Sequence, residues 1–557
     1  MRDPFLVVVL VVAAVLRLYG IDHGLPFVYN PDEANIMARS LSIANGLDPE
    51  YYLYPSFFFY LVFATMGGLY LFGWGHGGFE NTADFQASFF EDPTAFYVVA
   101  RLIGVLAALA TIVLTYQLAS RHFGRTAGRA ASLFIAVAYF HVRDAHYLKH
   151  DVPSGFLMVL SLWAIDRALS NKTLSAYLVA GTALGVAFAT HYYMIFLAPA
   201  FVVCHWTSRR WARFTDVVAA GAVSALTFFL LSPFVVLKFP TALEHMRANR
   251  QVVVDRSLDS GVALFPSLPR YAEFLVTQGL GFVLVTLVLV GFLLILRADR
   301  GKLALWGGFP LMFLAFISYT FFAGRYLNPI LPAFAAAAGF TVATLESRFG
   351  TVAAGLVTVV ACLQPLYWSV QVDRLFGSVD TRTLAREWVV ENVASGTTFA
   401  LQSYSVPLPQ SAQSFRDSME ANGALNELGR RGKYASLLAV AENAPASYPL
   451  FFLGKGDELN RVYIGYDELT GGFEPLTERG VASVILRRPP TPPPPAVTAV
   501  FDRAAAEGRL LKTVSPFVDG SGEQGPPYLD NEDWAPSSGL SNKGPRIEIW
   551  SLEDTLR

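Results

Sequence analysis

The chain has 557 residues, of which 53% are hydrophobic and 14% aromatic but only 15% charged, and its mean hydropathy is +0.41. Soluble domains carry about 25% charged residues, so the composition excludes a soluble protein and indicates a polytopic membrane protein. Lys and Arg (42) nearly balance Asp and Glu (44), which leaves no basic excess for a nucleic-acid partner; only the position of the charges is informative. Cys204 and Cys362 lie in separate apolar segments without metal-like spacing, so neither a disulfide framework nor a zinc site is expected.

The apolar run Phe5 to Leu18 is followed by "RLYGIDHG" with no small-x-small cleavage pattern, and it reads as an uncleaved first helix. A bilayer core of about 30 Å needs about 20 apolar helical residues. Candidate segments lie near 4–20, 54–73, 95–118, 127–142, 152–168, 173–190, 192–207, 216–233, 273–296, 303–322, 326–345 and 351–371. Five basic clusters follow such segments: Arg121, Arg125 and Arg129; Arg167 and Lys172; Arg209, Arg210 and Arg213; Arg297, Arg300 and Lys302; and Arg348. The positive-inside rule places all five in the cytoplasm. That parity holds only if one early segment does not cross. Segment 54–73 starts at Tyr-Pro, carries Gly67-Gly68 and has no basic anchor, so it reads as re-entrant or interfacial within an outer loop 21–94, leaving about eleven spanning helices.

Residues 1–372 thus form the transmembrane part, and 373–557 are expected outside as a soluble α/β domain. The tail begins with helical "TRTLAREWVVENV" and continues with strand-like "TTFALQS", "YPLFFLG", "ASVILRR" and "RIEIWSL". A Pro-rich loop at 489–496 and the stretch "DGSGEQGPP" interrupt it. No internal repeat is visible.

Sorted by side, the ionisable residues near membrane segments converge on the outer face: Asp32 and Glu33, Arg101, the loop His141 to Gly155, and Arg325-Tyr326. A charge at a helix centre costs about 2.5–3.5 kcal/mol. Snorkelling accounts for any one of them but less well for five together. Asn30 is a good N-cap, Pro31 suits the first helical position, and Glu33 suits a capping box. Capping accounts for Glu33 completely and for Asp32 less well, so Asp32 is the first candidate for a catalytic carboxylate and Glu33 the second. Ile36, Met37, Leu41 and Ala44 make the following helix amphipathic and interfacial.

In "DAHYLKHDVP", His146 would share a helical face with Lys149 and with His150, a set that suits phosphate, metal or simple solvation; the Lys favours phosphate. Asp151 either starts the next helix or meets substrate. His191 and Tyr192 in "THYYM" suit substrate contact or aromatic-belt anchoring equally. Loop 234–272, with Lys238, His245, Arg247 and Arg250, reads as a mobile cover.

This arrangement resembles the polyprenyl-phosphate-sugar-dependent glycosyltransferases of GT-C fold, which include the protein mannosyltransferases and the aminoarabinose transferases of lipid A. The resemblance rests on "NPDEANIMARS", "YPSFFFYL", "ARLIGVLAALATIVLTYQLASRHFGR", "AHYLKHDVPSGFLMVL", "FLLSPFVVL" and "FAGRYLNPILPAFAA", in that order over about residues 1–371. It implies that Asp32 is the catalytic base with Glu33 as its neighbour. It also implies that Arg101, His146 and Lys149 hold the donor phosphate or shape its site. Where the aminoarabinose transferases have Lys-Pro-Pro, this chain has Leu53-Tyr54-Pro55-Ser56, so the phosphate role moves to Lys149. The β-trefoil insert of the eukaryotic mannosyltransferases is absent.

Arg325 joins the phosphate ligands on electrostatic grounds, and Tyr54 and Tyr326 join Asp151, His191 and Tyr192 as substrate contacts. The expected activity is single-sugar transfer, hexosyl or pentosyl, from a polyprenyl-phosphate donor to an extracytoplasmic lipid, glycan or protein by inverting displacement. The expected setting is the bacterial inner membrane, with the site and the tail on the periplasmic side and no cofactor required. Two rivals remain: a lipid-linked oligosaccharide transferase or ligase with a diphosphate donor and a divalent metal, and a flippase or transporter, which would favour mid-membrane charges and inverted repeats.

Overall fold

The computed structural model describes residues 3–209, 211–258, 265–423, 431–456, 458, 460–488, 493–518, 525–530 and 532–552. Arg210, residues 489–492 of the Pro-rich loop and residues 519–524 of the second interrupting stretch lie outside the described residues.

The first helix, α1 (Pro4–Leu18), is capped by the Asp3 carboxylate. It is followed by α2 (Pro31–Ser42), α3 (Phe57–Gly75), α4 (Thr82–Glu91) and α5 (Thr94–Phe123). Then come α6 (Arg125–Val137), α7 (Tyr139–Asp144), α8 (Asp151–Asn171), α9 (Leu174–Thr190), α10 (Leu197–Arg209) and α11 (Phe214–Leu231). The loop expected as a mobile cover is instead largely helical, as α12 (Pro233–Leu237) and α13 (Phe239–Leu258); Lys238 binds Asp48 at 2.8 Å. The bundle closes with α14 (Leu268–Phe274), α15 (Phe282–Ala298), α16 (Arg300–Ile317) and the long α17 (Leu331–Phe376). Gly350, at φ 84°, bends α17 into two helical arms, a conformation glycine adopts without a Cβ penalty.

By length and composition five helical stretches can cross a membrane: Phe57–Gly75, Thr94–Phe123, Asp151–Asn171, Phe214–Leu231 and Gly324–Asn392. Three shorter apolar helices, Pro4–Leu18, Leu174–Thr190 and Phe282–Ala298, accompany them.

The basic clusters meet at one end of the bundle. Asp3 binds Arg125 and Arg129 at 3.1 and 2.9 Å, and Arg121 binds Asp166 at 3.2 Å. Lys302 reaches the His122 carbonyl, Arg209 the Leu169 carbonyl, and Thr126 bonds Glu346 at 2.5 Å, two residues from Arg348. Arg101 lies about 30 Å away along α5, at 1.5 Å per residue. Both ends of α3 pack on elements at the Arg101 end of the bundle. Phe58 is 6.0 Å from the His150 ring, while Tyr70 packs on Phe85 and Phe85 on Phe96, at 5.4 and 4.8 Å. Gly67-Gly68 does not interrupt the helix, since a helical glycine costs only about 1 kcal/mol relative to alanine.

Helices cross closely where side chains are smallest. A Cβ at Gly181 would overlap the Ala220 carbonyl, at Gly291 the Ala337 carbonyl, and at Gly339 the Ala127 carbonyl. Small residues at these crossings let backbones approach where lipid removes any hydrophobic gain between helices.

Beyond α17, α18 (Thr381–Asn392) leads into a six-stranded sheet of order β3-β2-β1-β4-β6-β5. The strands are β1 (Phe399–Gln402), β2 (Leu450–Leu453), β3 (Tyr463–Ile464), β4 (Ser483–Arg488), β5 (Arg509–Val514) and β6 (Arg546–Ser551). The first four are parallel; β5 and β6 add an antiparallel edge. Helices α19 (Ala412–Ala421), α20 (Arg431–Asn443), α21 (Glu474–Thr477) and α22 (Pro495–Glu507) connect them. Successive side chains alternate between faces: Phe399 and Leu401 pack with Ala385 and Val389 of α18, Ala400 with Val500 and Ala504 of α22. The four stretches expected as strands are β1, β2, β4 and β6. The two-residue β3 and the largely exposed β5 lack the apolar alternation that would reveal them.

Between β5 and β6 the chain returns to the bundle. Trp534 lies 5.5 Å from Phe274 and 5.4 Å from Phe322. Overpacking a tight crossing costs about 1–3 kcal/mol. Gly291→Val and Gly339→Val are therefore expected to lower the thermal midpoint of the purified protein by several degrees. Gly355→Val, with open space around it, should leave the midpoint unchanged.

Candidate active site

The site begins at the first turn of α2. Asn30 accepts from the Asp32 amide at 2.9 Å, with Pro31 next in the chain, so this start is built locally as the residue types suggest. Ile36 and Met37 bury the helix's apolar stripe. Asp32 points to a cavity of about 210 Å³ that it shares with Tyr51, Tyr54, Lys149, His150, Asp151 and Arg325.

Lys149 lies 3.0 Å from Asp32 and 5.2 Å from the Tyr147 ring. The Asp32 side chain is 45% exposed. Burial pushes its carboxyl upward, but Lys149 and Arg325 together hold it below its ordinary value. His150 is buried, and burial keeps its imidazole down at about 3 and therefore neutral. Tyr54 packs 4.1 Å from His150 and 5.2 Å from His191, while His191 stacks on Tyr193 at 3.5 Å. Burial likewise raises the Tyr54 phenol and lowers the His191 imidazole. The cavity thus has an uncharged aromatic wall beside its ions.

Asp151 opens α8 and is 2% exposed, with one carboxylate oxygen unbonded. Arg325 stands on the 3₁₀ turn Gly324–Ile330, its guanidinium 5.4 Å from the Tyr326 ring.

Several expected residues stand elsewhere. Glu33 does not close a capping box: its two oxygens accept from Nε and Nη2 of Arg101, each at 2.8 Å, and one also accepts from the Leu148 amide at 2.7 Å. Arg101 donates further to the carbonyls of Ile21 and His23 at 2.6 and 3.0 Å. Both side chains are 1% exposed, so this pair is an internal brace behind the cavity, against the catalytic expectation for Glu33 and the phosphate expectation for Arg101.

His146 is also internal, its nitrogens 2.9 and 3.0 Å from the carbonyls of Val142 and Tyr19. Burial holds the ring down at about 4. The shared-face argument for His146 and Lys149 assumed a helix, but α7 ends at Asp144 and α8 starts at Asp151; the turn between sends His146 inward and Lys149 and His150 to the cavity. Tyr192 donates to the Tyr52 carbonyl at 3.1 Å, away from the cavity; Tyr326 packs against the bundle core but keeps its ring 5.4 Å from the Arg325 guanidinium, within electrostatic reach of Tyr54 and Asp151. Among the described residues no three or more His, Cys, Asp or Glu side chains come together as a metal site.

Sequence reasoning missed the support behind Arg325. Its amide donates to Asp533 at 3.3 Å, and its carbonyl accepts from Asn328 at 2.9 Å. It also missed the link behind α2, where Asn30 donates to the Asp530 carbonyl at 3.1 Å. The contacts of Arg325 with Asp533 and of Asn30 with Asp530 join residues hundreds of positions apart, and no local pattern reports them.

The sequence profile of the dolichyl-phosphate-mannose-protein mannosyltransferase family matches residues 95–237. No curated protein matches the sequence. Among solved structures, ArnT from Cupriavidus metallidurans bound to undecaprenyl phosphate superposes with a TM-score of 0.51 at 16% identity, over 99% of this chain and 98% of that one. Its apo form gives 0.50 at 14% identity, over 98% and 97%. The Archaeoglobus fulgidus oligosaccharyltransferase AglB, in complex with an inhibitory peptide and a dolichol-phosphate, gives 0.47 at 14%, over 87% and 69%. The chain therefore has, over nearly its whole length, the GT-C fold of ArnT, as the sequence resemblance implies.

Proposed function

We propose that the protein is a membrane glycosyltransferase that moves one sugar from a polyprenyl phosphate to an extracytoplasmic acceptor, with Asp32 as the base. The observation that carries this reading is the meeting of Asp32, Lys149 and Arg325 in one cavity at the end of the bundle opposite the basic clusters. The family match and the undecaprenyl phosphate bound by ArnT support the donor class. Under this reading the basic end is cytoplasmic, about eleven helices cross, and the sheet-bearing part lies with the site on the periplasmic face of a bacterial inner membrane. With both ends packed on elements at the Arg101 end of the bundle, α3 lies along that outer interface.

The acceptor hydroxyl attacks the anomeric carbon as the bond to the phosphate oxygen breaks on the opposite face, which inverts the configuration. The hydroxyl proton passes to the Asp32 carboxylate, and the polyprenyl phosphate leaves with the bonding electrons. Charge accumulates on that phosphate, where Lys149 and Arg325 stabilise it. Tyr54, His150 and His191 offer the sugar an uncharged surface, and the unbonded Asp151 oxygen offers a hydroxyl acceptor. No metal is invoked; chelator-sensitive transfer would favour the rival diphosphate-donor reading.

Asp32→Asn should insert and fold normally yet lose about 10²–10⁴-fold in transfer rate, the usual range for a general base; full activity would sink the assignment. Because the base acts deprotonated and its carboxyl sits below the ordinary 3.8, kcat/KM should show no Asp32 limb between pH 5 and 8 and fall only below about pH 4. Lys149→Ala should weaken donor binding more than acceptor binding, so equal loss would refute its phosphate role. Glu33→Gln should instead lose about 3–5 kcal/mol of stability, the cost of breaking a buried pair, measurable as a large drop in thermal midpoint.

A further inference from the structure

Arg325 is carried by a short 3₁₀ helix, a form whose own hydrogen bonds are poorly aligned. The turn is held from outside by a closed circuit. The Arg325 amide donates to Asp533 Oδ1 at 3.3 Å. The same oxygen accepts from Arg143 Nη2 at 3.2 Å, and Arg143 Nη1 donates to the Asp533 and Glu532 carbonyls at 2.5 and 3.2 Å. Arg143 Nε then meets Asp144 Oδ1 at 2.7 Å, and Asp144 Oδ2 accepts from Asn328 Nδ2 at 2.6 Å. Asn328 Nδ2 closes the circuit on the Arg325 carbonyl at 2.9 Å.

Arg143, Asp144 and Asn328 are all at most 5% exposed and Asp533 is 14% exposed, so water competes weakly for these bonds. The circuit engages the backbone of Arg325 on both sides. Its guanidinium has no hydrogen-bond partner among the described residues and lines the cavity.

Asp533 belongs to the chain between β5 and β6, and the segment around it is itself fastened. The Tyr139 hydroxyl donates to the Trp534 carbonyl at 2.9 Å and lies 3.2 Å from the Tyr528 hydroxyl. The Ala535 amide donates to Gln278 at 2.6 Å. Behind α2, Asp530 binds Arg382 at 2.6 Å and also Lys543. The segment is thus fixed by aromatic and ionic contacts that do not include Arg325.

We infer that Asp533 is a positioning residue for Arg325, so that the stretch 532–535, between β5 and β6, is a built-in part of the donor phosphate site. The inference rests on the phosphate role proposed above for Arg325. It makes donor affinity depend on a residue of the C-terminal sheet region that touches no substrate.

The test measures binding of undecaprenyl phosphate to the full-length purified protein, well below each variant's thermal midpoint. Arg325→Ala should weaken binding about 30-fold and Asp533→Ala about 10-fold. Asp533→Asn keeps an acceptor oxygen and should remain within about 3-fold of the parent. The double variant Arg325→Ala with Asp533→Ala should bind no more weakly than Arg325→Ala alone, because residues acting through one another are not additive. Asn328→Ala releases the other side of the turn without touching the segment; it should match Asp533→Ala and replaces it if that variant misfolds. Parent-like affinity in Asp533→Ala, or a loss that adds in full to that of Arg325→Ala, overturns the inference alone. Parent-like affinity in Arg325→Ala overturns the donor-site reading and the inference with it.

Discussion

The site depends on one buried ion pair. Glu33 accepts two bonds from Arg101 and a third from the Leu148 amide, tying α2 to α5 and to the turn before α8. Its chain neighbour is Asp32, and the neighbour of Leu148 is Lys149. A single carboxylate thereby sets the two residues that form the cavity's ion pair at 3.0 Å. Removing two charges from water is costly, and such a pair adds little net stability over an apolar replacement. What it provides is registry: three elements can satisfy Glu33 and Arg101 together in this one arrangement.

The same logic extends outward from the cavity. Behind α2, Asn30 caps the helix with its oxygen and donates its amide to the Asp530 carbonyl. Asp530 is in turn held by Arg382 and Lys543, and Arg382 lies 3.7 Å over the Tyr29 ring. The cation–π contact, the ion pairs and the cap share one dry junction in which each member limits the movement of the next. The buried charges of this junction, Asp380, Arg382, Asp530 and Lys543, are paired with one another, as an interior of low polarity requires. The apolar bundle below needs little of this, since its helices are held by close backbone crossings at glycine.

What the sequence made legible was what is encoded locally. Asn30-Pro31 announces the start of α2, the apolar lengths announce the bundle, and alternation announces β1, β2, β4 and β6. Asp32, Lys149, Arg325, Tyr54 and Asp151 were named from side and chemistry, and they line one cavity. The departures share a cause. The cap that Glu33 suits lies three residues away and is visible in the sequence, whereas Arg101 is not. His146 would share a helical face with Lys149, but the chain there turns instead. Asp533 was invisible because its partners, Arg143 and Arg325, lie far away in the sequence, and only the fold brings them together.

Under the proposed reaction, the charge balance of the cavity explains why its ions are arranged in this way. The cavity sets two carboxylates, Asp32 and Asp151, against two cations, Lys149 and Arg325, beside a neutral His150. The charges of its own side chains therefore balance. A sugar linked to a lipid phosphate brings one negative charge, and the departing phosphate carries nearly two. As Asp32 accepts the acceptor's proton, it loses its hold on Lys149 at the stage when the phosphate gains charge. The cation can then act most strongly in the transition state and less in the ground state, which is the condition for raising turnover instead of merely tightening binding.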